Sequence, residues 1–161
     1  MSDVLVVYYS LDGDVRYVAK ALAQGLGADW MELELVTPHP ERGFMKYFKG
    51  GFLAATGATP PLRPLAHRAA NYDMVFVGTP VWNSRPAPAV RTFLKGADLA
   101  GKRIAFFACY GDSEGKTFRL LDSLVPGAQV IGHIGFTRPL KNDREQCAAD
   151  IVRWATELLT D

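Results

Sequence analysis

The stretch from Val4 to Leu26 constrains this chain more than any other. The run Val4-Leu5-Val6-Val7-Tyr8-Tyr9 is uninterrupted, apolar, and rich in β-branched and aromatic residues. Such a run reads as a strand buried on both faces, as in a parallel sheet. A short turn, Ser10-Leu11-Asp12-Gly13-Asp14-Val15, follows directly. Val15, Val18, Ala19, Leu22 and Leu26 then recur at helical spacing, with Arg16, Lys20 and Gln24 on the opposite face. Strand, turn and helix bring the free amides of a helix N-terminus to the carboxyl edge of a sheet, which is a ready anion site. In an open α/β sheet that edge is also where ligands bind.

The rest of the chain repeats the unit. Gly25-Leu26-Gly27 ends the first helix. Asp29 to Val36 alternates and suits a second or edge strand, closed by Thr37-Pro38-His39-Pro40, where His39 is a turn residue. Phe44, Phe48 and Phe52 recur every fourth residue and predict a helix from Phe44 to Ala55, weakened by Gly50-Gly51. With Tyr47, these aromatics read as core packed over the sheet rather than as a partner surface. Thr56 to Leu65 holds three prolines and reads as a surface connection. Buried strands are expected near 73–79, 102–109 and 128–136, after those near 3–9 and 29–36. Helices are expected at Ala87–Lys95, after Gly115 as far as Pro126-Gly127, and at Asn142–Leu159. Strands alternating with helices at this spacing imply a parallel sheet covered on both faces.

Length and charge narrow the class. At 161 residues the chain is expected to form one domain, 1–161. A net charge of +1 argues against a nucleic-acid surface. No apolar run approaches the ~20 residues of a membrane span. Met1-Ser2-Asp3 leads straight into the first strand, which predicts no secretory signal. Cys109 and Cys147 fit core thiols better than a disulfide, as expected of a cytoplasmic protein.

Three segments resemble the flavodoxin-like family. That family's phosphate loop reads Ser/Thr-x-Thr-Gly-x-Thr, and here Ser10 and Gly13 match while Asp12 and Val15 stand at the later hydroxyl positions. Similar proteins carry Gly-Thr-Pro-x-Trp followed by Pro-x-Pro-x-Val-Arg-x-Phe-Leu. The match is Gly78-Thr79-Pro80-Val81-Trp82, then Pro86-Ala87-Pro88-Ala89-Val90-Arg91-Thr92-Phe93-Leu94. They also carry a Phe-Lys-Gly-Gly-Phe segment, here Phe48 to Phe52. The resemblance continues through Leu124 to Ala128 and Pro139 to Asn142, and so covers essentially the whole chain.

The resemblance implies a doubly wound three-layer α/β sandwich, with a five-stranded parallel sheet in the order 2-1-3-4-5 and a switch point between strands one and three. It implies FMN as cofactor, held by three loops. Ser10, Leu11, Asp12, Gly13, Asp14 and Val15 would meet the phosphate. Thr79, Pro80, Val81, Trp82, Asn83, Ser84 and Arg85 would pack on the isoalloxazine ring, whose flat face needs an aromatic or rigid apolar wall. Tyr110 would stack on the outer face, and Gly111 and Gly115 would let amides approach the pyrimidine edge. Asp112 and Glu114 read as caps of the next helix.

Asp12 and Asp14 put carboxylates beside a ligand of the same sign, or cap the first helix themselves. Arg16 or Arg85 would then supply compensation. The expected function is electron transfer with a redox partner protein or a small-molecule acceptor, without nucleic acid or membrane. The alternatives are an NAD(P)H- or quinone-linked FMN reductase and a flavodoxin-shaped binding or scaffold domain that has lost the flavin. Asp12-Gly13-Asp14 also echoes the Asp-x-Asp of haloacid-dehalogenase-type phosphatases, but Ser10 stands where their nucleophile belongs. A receiver domain needs an Asp where Gly78-Thr79 stand. The dinucleotide fingerprint is absent from the first turn. No His/Cys cluster has metal spacing, and no Ser/His/Asp set is suggested.

Overall fold

The computed structural model describes residues 3–38 and 52–161. Strand β1 (Val4–Tyr8) leads into helix α1 (Asp14–Leu26), and β2 (Asp29–Glu32) follows. After a 3-10 turn at Ala69–Asn71 comes β3 (Met74–Trp82), which pairs with a two-residue strand, β4 (Arg85–Pro86). Helix α2 (Pro88–Gly96), strand β5 (Arg103–Tyr110), helix α3 (Thr117–Ser123), strand β6 (Gln129–Thr137) and helix α4 (Arg144–Thr160) complete the order. The sheet runs β2-β1-β3-β5-β6 with every one of these pairs parallel, and β4 lies antiparallel on the end of β3. This is the expected five-strand order with a hairpin added. Chain direction across the sheet reverses between β1 and β3, and that is the switch point.

Alternate residues of each strand build two cores. Leu5, Val7, Val75, Val77, Ile104 and Phe106 face α2 and α3, against Val90, Phe93, Leu94 and Leu121. Val6, Tyr8, Phe76, Phe107 and Cys109 face α1 and α4, against Val15, Val18, Leu22, Ile151 and Ala155. The unbroken apolar runs of β1, β3 and β5 follow from this, because neither face of a central strand meets water. Helix α1 crosses α4 closely enough that a Cβ on Gly25 would lie 2.5 Å from Val152 Cγ2. Gly27, at φ 62, ends α1 in the left-handed conformation, as a C-terminal glycine does. Both cysteines are free thiols.

Three expectations are corrected. The alternation from Asp29 to Val36 is not one sheet strand, because β2 stops at Glu32. Met31, Leu33 and Leu35 all stay buried, but the pairing partner changes. The Leu33 amide still donates to the Tyr8 carbonyl at 2.7 Å. Leu35 then bridges Leu62, and the Val36 and Arg63 amides donate to the carbonyls of Pro61 and Glu34. The 56–65 connection is therefore tied to the domain by backbone pairing. Arg91 and Thr92 of α2 tie it further, donating to the carbonyls of Ala58 and Pro60 at 3.4 and 2.7 Å.

The predicted helix at Phe44–Ala55 lies mostly outside the described residues, as do His39 and the partners Tyr47 and Phe48. Residues 52–56 are helical. There Ala54 is buried while Phe52 is 59% exposed, so Phe52 is not the core residue its spacing implied. Finally, Asp112 and Glu114 do not cap α3. Its N-cap is Lys116, with no side-chain cap, and the chain enters through Gly115 at φ 54. Gly115 is pressed against Ser84, and the Lys116 amide donates to the Ser84 carbonyl at 2.8 Å.

Buried phenols give the fold an alkaline limit. Burial first, then the charges of Glu32 and Asp12, push the Tyr9 phenol up to about 12. Burial and the hydrogen bond to Asp29 at 2.7 Å push Tyr72 up to about 12 as well. Tyr8 is raised for the same first reason, with Glu32 second. A group whose pKa is higher when folded stabilises the fold fully below its unfolded value, here ~10, and that stability is lost as pH rises toward 12. Denaturant unfolding at pH 11 is therefore expected to show about 2–3 kcal/mol less stability than at pH 9 from Tyr9 and Tyr72 together. Equal stability at the two pH values would mean these phenols ionise freely in the folded protein.

Candidate functional site

The carboxyl ends of β1, β3 and β5 open into one cavity of about 520 Å³. Ser10, Leu11, Asp12, Asp14 and Val15 line it from the β1–α1 turn. Pro80, Val81 and Trp82 come from β3, and Cys109, Tyr110 and Gly111 from β5. The β6–α4 loop adds Arg138, Leu140 and Lys141. The volume suits a small ligand or cofactor.

The β1–α1 turn is held by its own groups. The Ser10 hydroxyl accepts from the Gly13 amide at 3.1 Å. Gly13, at φ 97, is the N-cap of α1, a left-handed position that explains why a glycine stands there. No side chain caps the helix, so neither aspartate takes the role expected of it. Asp14 turns instead to the β6–α4 loop, where its Oδ1 accepts from the Leu140 amide at 3.1 Å.

The apolar wall comes from β3. Thr79 is fully buried and does not reach the cavity, since its hydroxyl donates to the Pro80 carbonyl and accepts from the Ala87 amide at 3.0 Å. It thereby pins the start of α2 to β3. Trp82, half-buried, meets the Tyr9 ring edge-to-face at 5.8 Å. Asn83 and Ser84 form the β3–β4 turn with φ 50 and 61, the twin left-handed conformation of a two-residue hairpin. They lie beyond the cavity lining, with Arg85, whose Nη1 donates back to the Asn83 carbonyl.

Tyr110 lies along β6. A Cβ on Gly135 would come within 2.6 Å of its ring, so Gly135 is the seat of that ring. Burial raises the Tyr110 phenol. Burial, and then the Asp14 charge, push the Cys109 thiol up, so it stays protonated at neutral pH. Gly111 has the same meaning for Arg138, whose Nη2 lies 3.0 Å from where a Cβ would stand.

Several expected site residues sit elsewhere. Gly115 packs on Ser84 rather than facing the cavity. Arg16 cannot compensate the aspartates, because it forms a two-pronged pair with Glu32 at 2.6 and 3.2 Å. That pair lines a separate groove of about 470 Å³ beside β2, with Trp30, Lys20 and Leu65. Arg85 does not line the cavity either. The cations that do are Arg138 and Lys141, which sequence reading missed. Among the described residues no group of His, Cys, Asp and Glu could hold a metal ion, and no helix is long and apolar enough to cross a membrane.

A parallel doubly wound sheet, with a cavity over its switch point walled by three βα loops, defines a class of α/β nucleotide- and cofactor-binding folds. Within it, the sequence profile of the flavodoxin family matches residues 3–133, and the chain belongs to that family. Among solved structures, a Bacteroides eggerthii protein designated a flavoprotein is 21% identical, with 99% of each chain covered and a TM-score of 0.77. A Lactobacillus acidophilus flavoprotein in complex with FMN is 20% identical, with 89% of this chain and 98% of that one covered and a TM-score of 0.71. The two-electron reduced flavodoxin of Megasphaera elsdenii is 19% identical, with 92% and 96% covered and a TM-score of 0.57.

Proposed function

We propose that the switch-point cavity binds FMN and that the protein is a flavodoxin-type electron carrier. The observation that carries this reading is the cavity's division into two ends. Pro80, Val81 and Trp82 form a stiff apolar wall suited to a flat ring. The α1 N-terminus, with Arg138 and Lys141 beside it, suits an anion. Bound FMN supplies the redox chemistry. The chain's own residues orient it and shield it from water.

Hydride and electron transfer both belong to the flavin, so the Cys109 thiol and the Tyr110 phenol, raised by burial and protonated at neutral pH, serve as cavity wall and not as acid or base. The partner is then a redox protein or a small-molecule acceptor that approaches the open side of the cavity.

Titration of the protein with FMN, read by quenching of flavin fluorescence, tests the proposal. Saturable quenching is expected. Trp82→Ala should weaken FMN and riboflavin together, by about fivefold to tenfold, because the ring is common to both. Rapid anaerobic bleaching of the bound flavin by NADH or NADPH alone would favour the reductase. Absence of any flavin binding would leave the scaffold reading.

A further inference from the structure

We infer that the anionic end of the cavity is read by Arg138 and Lys141 of the β6–α4 loop, with Asp14 as the residue that positions that loop. The ligand chemistry is a phosphate monoester, and the inference rests on the FMN reading above. At the β1–α1 turn the chemistry is unfavourable. The Gly13 amide is spent on the Ser10 hydroxyl oxygen, which takes one backbone donor of the turn away from a ligand. Asp12, Asp14 and Val15 line the cavity, with no threonine hydroxyl among the six residues of the turn. Two carboxylates facing a phosphate that carries nearly two charges would repel it. Two cations facing the same space offset those two charges.

The β6–α4 loop is built to hold those cations in place. The Arg138 amide donates to the Tyr110 carbonyl at 2.9 Å. Its own carbonyl accepts from the amides of Lys141 and Asn142 at 2.9 and 3.0 Å. Arg138 sits at φ 42, a left-handed conformation unusual for arginine, which the closed turn enforces. Its guanidinium lies against Gly111, where any larger residue would displace it. The Asn142 amide group donates to the Thr137 carbonyl at 3.0 Å and closes the turn from the other side. The Asp14 carboxylate, accepting from the Leu140 amide, joins this loop to the first turn of α1. Leu140 Cδ1 is 3.4 Å from the position of a Cβ on Gly13, so the two loops are also in apolar contact. Asp14 thus repels the ligand by charge but holds in place the loop that attracts it.

These two effects of Asp14 separate by mutation. The experiment measures FMN and riboflavin dissociation constants by fluorescence quenching for the wild type and for Arg138→Ala/Lys141→Ala, Asp14→Asn and Asp14→Ala. The double variant is expected to weaken FMN by about tenfold or more and to leave riboflavin within about twofold. Its FMN affinity should also lose much of its dependence on salt. Asp14→Asn keeps an oxygen acceptor for the Leu140 amide and should bind FMN at least as well as the wild type. Asp14→Ala loses the acceptor and should bind FMN more weakly than Asp14→Asn, although both have lost the charge. An unchanged ratio of FMN to riboflavin affinity in the double variant overturns the cation assignment. Equal FMN affinity in the two Asp14 variants overturns the positioning role. If the wild type binds neither flavin, the FMN reading itself has failed and this inference falls with it.

Discussion

Replacing Asp12 with threonine is expected to tighten FMN binding by about tenfold or better, while riboflavin binds the two proteins alike. Asp12 is exposed at the cavity rim, beside the turn that precedes α1. Its charge reaches into the site, being one of the causes that raise the Tyr9 phenol. A phosphate bound at the α1 N-terminus would lie within range of the same charge. Threonine removes the repulsion and adds a hydroxyl donor, each worth on the order of 1 kcal/mol. A decade of affinity corresponds to ~1.4 kcal/mol. Riboflavin lacks the phosphate and serves as the control. An unchanged FMN dissociation constant would show that the carboxylate is turned away from the bound phosphate.

Gly78→Ala is expected to lower stability by about 3 kcal/mol, at the upper end of the cost of overpacking a core. Gly78 pairs with Phe107 across the parallel β3–β5 ladder. A Cβ on Gly78 would lie 2.3 Å from both Cε2 and Cζ of that ring. Phe107 has no exposed surface, and Tyr8, Phe76 and Cys109 belong to the same packed cluster. The ring has nowhere to move, so the strands must separate. For a domain of this length the melting temperature should fall by roughly 6–12 °C. Phe107→Leu in the Gly78→Ala background should recover part of the loss, since the two substitutions share one space and cannot be additive. A melting temperature unchanged by Gly78→Ala would mean that β3 and β5 yield without cost.

This packing also gives the Gly-Thr-Pro-Val-Trp segment a second meaning. Read as a motif, Gly78 to Trp82 is a ring-binding loop. In the fold, Gly78 makes room for Phe107 and Thr79 pins α2, and only Pro80, Val81 and Trp82 reach the cavity. The segment continues β3 rather than leaving it, and the two-residue β4 turns it back. The hairpin is what presents Trp82 at the rim.

The buried strands, the amphipathic helices and their alternation were legible in the residues alone. Unbroken apolar runs such as Val4–Tyr8 and Met74–Val77 have one favourable environment, a strand covered on both faces. The spacing of Val15, Val18, Ala19 and Leu22 has one favourable face. These are local properties, set by which surface must leave water, and the sheet order followed from them together with the family resemblance. What a side chain pairs with is not local. The alternation of Met31, Leu33 and Leu35 told which way each points, but the change of partner from β1 to the 61–63 segment depends on chain that returns much later. Asp14 and Leu140 are 126 positions apart, and no periodicity marks their contact. Nothing in the sequence assigns Arg138 or Lys141 to the cavity, since only β6 delivers them opposite α1. Arg16, close to the turn in sequence, is drawn off by Glu32. Sequence alone thus determined the layers and the sheet edge at which the cavity opens, because burial and helix periodicity are written residue by residue. The tertiary structure alone decided which charges face that cavity, because it brings together loops that are distant along the chain.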